Sequence, residues 1–345
     1  MALPLSSNAA PLDVPRVLAQ GLEYHRQGRL DQAASHYSAI LAARPDHFDA
    51  LHMLGVIKLE HGQLGEALRL IADAMRVKKP SPQILLNYGL VLNALNRHQE
   101  ALDSFDQAIK LKSKYADAHI NRGAVLAVLG RDEEALTSCR KALAITPSNA
   151  EAHYNLGNSL RRLNRNEEAL KCFDRALAYR PSYVNALNNR GMILQEMKRA
   201  GEALESYDRA LALHPAHADA HNNRGRTLYE LSRFDEALAS YDLALLLKPD
   251  DAQVLYNRGN SLKELKRHEE ALASYDRALT LQPSFAEALN NRGSTLHDLN
   301  RLHDALASFD RALEARPDYA EARENRSITL QALGQPPANN GITLR

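Results

Sequence analysis

Cysteine is scarce in this chain, with two in 345 residues, too few for a disulfide framework. A charge surplus is missing too. Lys and Arg total 43 against 42 Asp and Glu, which leaves no basic excess for gripping phosphates and argues against nucleic acid as a partner. No run of 18 apolar residues exists, so no membrane span is predicted. Residues 1–15 hold neither Lys nor Arg nor a sustained apolar core, so no secretory signal is visible. These absences predict a soluble, cytoplasmic protein. No glycine-rich phosphate loop follows a strand, and every plausible nucleophile or acid recurs at one fixed spacing, as scaffold residues do. No enzyme, cofactor or metal site is expected.

What the chain has is a period of 34. Glycine stands at Gly21, Gly55, Gly89, Gly123, Gly157, Gly191, Gly225, Gly259 and Gly293. Counting repeats from Val14 as position 1 puts these glycines at position 8, and alanine then fills position 20 from Ala33 to Ala305. Position 27 is alanine from Ala74 to Ala312, with Ile40 the one departure. Small residues at these places let two antiparallel helices approach closely. The larger residues at position 24, among them Tyr37, Phe105, Cys139, Tyr207 and Phe309, are expected to fill the space left over. Each helix pair still carries an uncovered apolar face, which only a stacked neighbour can bury.

Punctuation supports helix pairs. Proline follows most second helices, at Pro45, Pro147, Pro181, Pro215, Pro249, Pro283 and Pro317, where it stops the helix. Pro80 is displaced by one position and Ser113 replaces proline. Between the two helices, Gly28, Gly62, Asn96, Gly130, Asn164 and Asn300 suit a left-handed helix end; Lys198, Ser232 and Lys266 suit it less. The predicted organisation is a flexible N-terminus at 1–13, nine repeats at 14–319, a capping helix at 320–334 and a disordered tail at 335–345. Ser327 takes the glycine's place in the capping helix, where no partner helix must come close.

The period and its small residues resemble the tetratricopeptide repeat, from Val14 to about Gly334 without insertion. That resemblance implies an all-α, right-handed superhelical solenoid of stacked helix-turn-helix units. It also implies that positions 2, 5, 6, 9, 12 and 13 of each first helix line a concave groove. Position 6 there is a ladder of carboxamides: Asn87, Asn121, Asn155, Asn189, Asn223, Asn257, Asn291 and Asn325. A carboxamide both donates and accepts, so it can bond the backbone of an extended peptide whatever its side chains. Asn188, Asn222 and Asn290 at position 5, with Asn158 and Asn260 at position 9, add to it. The first four repeats instead present Leu18, Leu22, Val56, Leu86, Leu90, Ile120, Ala124 and Val128, an apolar stretch suited to a hydrophobic anchor. The repeat arm of O-GlcNAc transferases looks similar, with asparagines at this same position. The expected function is a noncatalytic scaffold that binds a protein or peptide segment in the groove. The alternative is the substrate-recognition arm of an O-GlcNAc transferase-like glycosyltransferase whose catalytic domain lies elsewhere. The lysines that clamp a chaperone tail in some family members have no counterparts here. Neither the partner's identity nor the oligomeric state can be read from the residues.

The register also exposes an ionic pattern. Position 7, apolar in most family members, is Arg122, Arg190, Arg224, Arg258, Arg292 and Arg326, and a semi-buried arginine needs a partner. Position 25 of the preceding repeat supplies Asp106, Asp174, Asp208, Asp242, Asp276 and Asp310, each sixteen residues earlier. Where the aspartate is absent the arginine is absent too: Ser38 precedes Leu54, Ala72 precedes Tyr88 and Arg140 precedes Leu156. These pairs are expected to be structural bridges between adjacent repeats. Two remaining clusters point to packing. His214 and His217 flank Pro215 at a turn while His221 faces the core, which speaks against a metal site; Cys139 and Cys172 read as small packing residues.

Overall fold

In a computed structural model that describes residues 12–334, every regular element is an α-helix. The chain divides into two compact units, one ending at Tyr179 and the other beginning at Arg180. The first unit contains α1 (Val14–Arg26), α2 (Leu30–Ala43), α3 (Phe48–Glu60), α4 (Leu64–Val77), α5 (Pro82–Ala94), α6 (His98–Leu111), α7 (Ala116–Val128), α8 (Asp132–Ile145), α9 (Ala150–Arg162) and α10 (Asn166–Tyr179). The second contains α11 (Val184–Glu196), α12 (Ala200–Leu213), α13 (Ala218–Glu230), α14 (Phe234–Leu247), α15 (Ala252–Glu264), α16 (His268–Leu281), α17 (Ala286–Asp298), α18 (Leu302–Ala315) and α19 (Ala320–Ala332). Odd-numbered helices open each repeat and even-numbered ones close it. Within each unit the two helices of a repeat pack on each other, and the second helix packs on the next repeat's first helix. The 1–13 and 335–345 segments anticipated as flexible or disordered lie outside the described residues except for Leu12 and Asp13.

The packing of a pair is read at position 8. A Cβ added to Gly191 would sit 2.5 Å from Cε1 of Tyr207, and one added to Gly89 would sit equally close to Phe105. The ring at position 24 therefore lies flat against the glycine backbone, and any side chain there would overlap it. In two repeats a smaller group does this job: Ile71 covers Gly55 and Cys139 covers Gly123. The alanines of positions 20 and 27 are buried throughout. Burial pushes the Cys139 thiol up to about 12 and the Cys172 thiol up to about 11, so both stay protonated and apolar in character.

The turns follow the punctuation. All the anticipated helix-end residues, including Lys198, Ser232 and Lys266, have positive φ near 60–70°, as Gly62 at 72° and Lys266 at 60° illustrate. At the displaced Pro80, Ser81 caps α5 through the Ile84 amide and Pro82 occupies its first turn, so a Ser-Pro start replaces the usual signal. Where Ser113 replaces proline, its carbonyl accepts from Nε2 of His119, just as the Pro147 and Pro215 carbonyls accept from His153 and His221. Buried histidine at position 4 thus closes three inter-repeat turns. Burial holds the His119 and His153 imidazoles below the ordinary histidine range.

Candidate functional site

From α3 to α9 in the first unit and from α11 to α19 in the second, consecutive first helices touch side by side, so in each unit their exposed sides form a face that carries part of the asparagine ladder. The ladder is internally bonded. Asn223 donates Nδ2 to Oδ1 of Asn188 at 3.1 Å, Asn257 to Asn222 at 3.3 Å and Asn325 to Asn290 at 3.0 Å. Asn291 donates to the Tyr256 hydroxyl at 3.2 Å, and Nδ2 of Asn87 lies 2.9 Å from Nε2 of His52. In each case position 6 reaches position 5 of the preceding repeat, 35 residues back. Where position 5 is apolar the bond is lost: opposite Leu86, Asn121 turns to the Asp117 carbonyl of its own helix. Asn155, opposite Ile120, is half-buried and makes no hydrogen bond among the described residues. Asn189 accepts from Asn188 at 3.3 Å.

The position 5 asparagines are therefore acceptors for the ladder, and Asn188 and Asn290 are themselves buried. At position 9, Asn260 accepts from Asn291 and from the Tyr275 hydroxyl, both at 2.8 Å. The sequence signal for this stitching was the polar residue at position 5, which precedes a position 6 asparagine by 35. Of the apolar stretch, Leu86 and Ile120 go into the core, because position 5 lies on the seam between neighbouring first helices. Leu18, Leu22, Val56, Leu90 and Ala124 are half-buried, and Val128 is the one that is broadly exposed.

Four of the position 7 arginines tie three helices. Arg224 donates Nε to Oδ1 of Asp208 on α12 at 2.7 Å and Nη1 to Oγ of Ser240 on α14 at 2.8 Å. The same arrangement joins Arg258 to Asp242 and Ser274, Arg292 to Asp276 and Ser308, and, in the first unit, Arg122 to Asp106 and Ser138. Arg326 on α19 meets Asp310. Asp174 belongs to the first unit and Arg190 to the second; within its own unit Arg190 bonds Ser206 at 2.6 Å. Sequence reasoning missed the serine at position 23, although it accompanies every arginine from Arg122 to Arg292 and gives way to Cys172 beside Leu156; Ser104, beside Tyr88, bonds the Leu85 carbonyl instead. The arginines are the covered members: Arg224 is 26% exposed and Asp208 56%. These are bridges at the edge of solvent that link one repeat to the next.

Four first helices of the second unit, all but α19, end in a carboxylate, Glu196 closing α11. Glu230, Glu264 and Asp298 are the last residues of α13, α15 and α17, and all are exposed. Of these, Glu230 lines a cavity of about 130 Å³ together with Arg226, Tyr229, Tyr241, Asn257 and Asn260. No group of three or more His, Cys, Asp or Glu that could hold a metal is found among the described residues. Among the same residues, no helix is long and apolar enough to cross a membrane.

Comparisons with known proteins agree with this geometry. Tetratricopeptide-repeat profiles match residues 127–163, 150–183, 193–253 and 256–320, and a TT21 fifth ARM repeats domain profile matches 17–122. No curated protein sequence matches the chain. Among solved structures, pilF of Pseudomonas aeruginosa is 24% identical, with 62% of this chain and 97% of that one covered and a TM-score of 0.56. A chain of the APC/C hetero-tetramer Cut9-Hcn1 is 13% identical, with 95% and 78% covered and a TM-score of 0.59. A tetratricopeptide repeat protein of Parabacteroides merdae is 18% identical, with 72% and 98% covered and a TM-score of 0.53. These structures share the fold of stacked helix pairs that the glycine and alanine spacing requires, and the chain belongs to the tetratricopeptide-repeat family.

Proposed function

We propose that the protein is a noncatalytic interaction scaffold that holds an extended peptide segment against the face formed by its first helices. The observation that carries this reading is the row of position 6 carboxamides, one in each repeat from the third on and one in the last helix, most of them held by a hydrogen bond to the repeat before. An amide has two N–H donors and an oxygen with two lone pairs. The lateral bond uses one donor and leaves an oxygen lone pair to meet a backbone, and the second N–H as well except at Asn291, which also donates to Asn260. Orientation by that bond also means that little rotamer freedom is left to lose on binding. A backbone-directed ladder accepts many sequences, which suits a scaffold.

The test begins with a random peptide display library screened with the full chain; affinities of the selected peptides are then measured by titration. Each backbone bond contributes about 0.5 to 1.5 kcal/mol, so replacing Asn189, Asn223 and Asn257 together by alanine is expected to weaken binding at least tenfold. Because two of these asparagines also stitch repeats, Asn155→Ala serves as the clean companion: a loss of affinity with no change in melting temperature. Replacing Arg175, Arg209 and Arg277 on the second helices should have little effect. Affinity that survives the triple asparagine change in a protein still helical by circular dichroism would rule this face out.

A further inference from the structure

Resting on the reading of the first-helix face as a peptide site, we infer that the cavity beside Asn257 in the second unit takes a carboxamide side chain, glutamine or asparagine, of the bound segment. The cavity belongs to that face. Arg226, Tyr229 and Glu230 come from α13, Asn257 and Asn260 from α15, and Tyr241 on α14 completes the lining. Asn257 is a member of the ladder, so a backbone held there brings a side chain to the opening. The volume of about 130 Å³ is the share of about four waters, room for one side chain and far short of the roughly 300 Å³ at which small-molecule sites begin.

An unused hydroxyl points into this space. Tyr241 is only 1% exposed, lines the cavity and makes no hydrogen bond among the described residues. The groups whose charge acts on its phenol are Arg226, Tyr229 and Glu230, and all three stand in the same wall. The next repeat shows why the hydroxyl is left over. Tyr275, at the same position, donates to Oδ1 of Asn260 at position 9 of its own repeat, at 2.8 Å. In the repeat of Tyr241 that position is Arg226, which carries donors only and can accept nothing. Packing does not call for the hydroxyl either, since Phe105, Phe173 and Phe309 fill the same place and are as deeply buried. A buried hydroxyl without a partner is costly, and a ligand oxygen in the cavity would satisfy it.

The other groups of the wall define the ligand. Arg226 has neither a hydrogen bond nor an ion pair among the described residues. Asn260 has its oxygen taken by Asn291 and Tyr275, while its Nδ2 donates to no described residue. These donors, with the phenol, call for an oxygen. Glu230 is the acceptor: its one hydrogen bond comes from Gln195 at 2.7 Å, and it forms no ion pair with Arg226. One planar group that carries both an oxygen and an N–H is a carboxamide. The charges of Arg226 and Glu230 oppose each other, so an entering carboxylate or ammonium is repelled by one as it is drawn to the other, whereas a neutral amide uses both.

The experiment pans the random peptide display library against the full chain and sequences the selected pool, where one position enriched in glutamine or asparagine is expected. Copies of a selected peptide with glutamine, glutamate, lysine or leucine at that position are then titrated by fluorescence anisotropy. Glutamine should bind about tenfold more tightly than the other three, as for two hydrogen bonds. Tyr241→Phe should weaken the glutamine peptide about threefold or more while the melting temperature stays level or rises. Glu230→Gln leaves Arg226 as the one charge of the wall, so the glutamate peptide should then overtake the glutamine peptide. Selected peptides without a carboxamide position, an order of glutamine over glutamate that Glu230→Gln leaves unchanged, or undiminished glutamine binding in Tyr241→Phe overturns the inference. If the peptides still weaken with the asparagine triple, the groove reading stands while the carboxamide preference falls. If no peptide is selected, or affinity survives the asparagine triple, both readings fall.

Discussion

At the scale of single residues, the fold depends on contacts between glycine and an aromatic ring. Tyr207 lies 2.5 Å from where the first side-chain carbon of residue 191 would be, and the ring is fully buried with no room to swing away. Gly191→Leu should therefore cost roughly 1 to 3 kcal/mol or more through overpacking. Ser327→Leu, on a helix that no second helix follows among the described residues, should be nearly neutral in the same thermal melts; equal losses would show that α19 is packed like any other first helix. This level was legible in the sequence because steric demands repeat with the period: a glycine faced by alanines and a larger side chain, a ring in seven of the nine repeats, is one statement made again and again. Ser240 and its equivalents were not, because serine reads as merely small until an arginine is seen to bond it. The ladder was half legible. Its asparagines were plain, but a carboxamide's direction depends on its neighbour, and the decisive residues were His52, Asn188, Asn222, Tyr256 and Asn290 one repeat earlier.

Between elements, the bridge of arginine, aspartate and serine links a repeat to its predecessor. The aspartates are about half exposed, so solvent screens much of the attraction and the coupling belongs with exposed pairs. A double-mutant cycle on Asp208→Ala and Arg224→Ala is expected to give a coupling of about 0.5 to 1 kcal/mol, with Arg224→Ala the worse single change because it also abandons Ser240. Strict additivity would mean that the two side chains do not interact in solution. The partner of each arginine was readable only because the pattern breaks: Arg140 before Leu156 distinguishes a link between repeats from a residue copied with its repeat. Geometry that does not break in this way, such as the left-handed φ of Lys198, Ser232 and Lys266, is visible only by position.

For the whole molecule, buried histidines make stability depend on pH. His52, His119 and His153 are held below their ordinary range, chiefly by burial. For His119 and His153, Nε2 bonds a turn carbonyl while Nδ1 is buried without a partner, so a second proton would be stranded. The unfolded chain takes up protons near pH 6.5 and the folded chain only below that, so stability should fall as pH drops from about 7.5 to 5.5. Chemical denaturation across that window checks it, and a midpoint that stays level or rises on acidification would contradict the assignment. The junction chemistry has a further consequence for how such an array can be lengthened or shortened. Cutting out residues 218–251 would bring Arg258 to Asp208 and Asn257 to Asn188, and both joints would close. Cutting out residues 150–183 would set Arg190 against Arg140, two cations at one seam. The repeats look interchangeable by their shared glycines, yet each accepts only certain predecessors, so their order along the chain carries information that no single repeat holds.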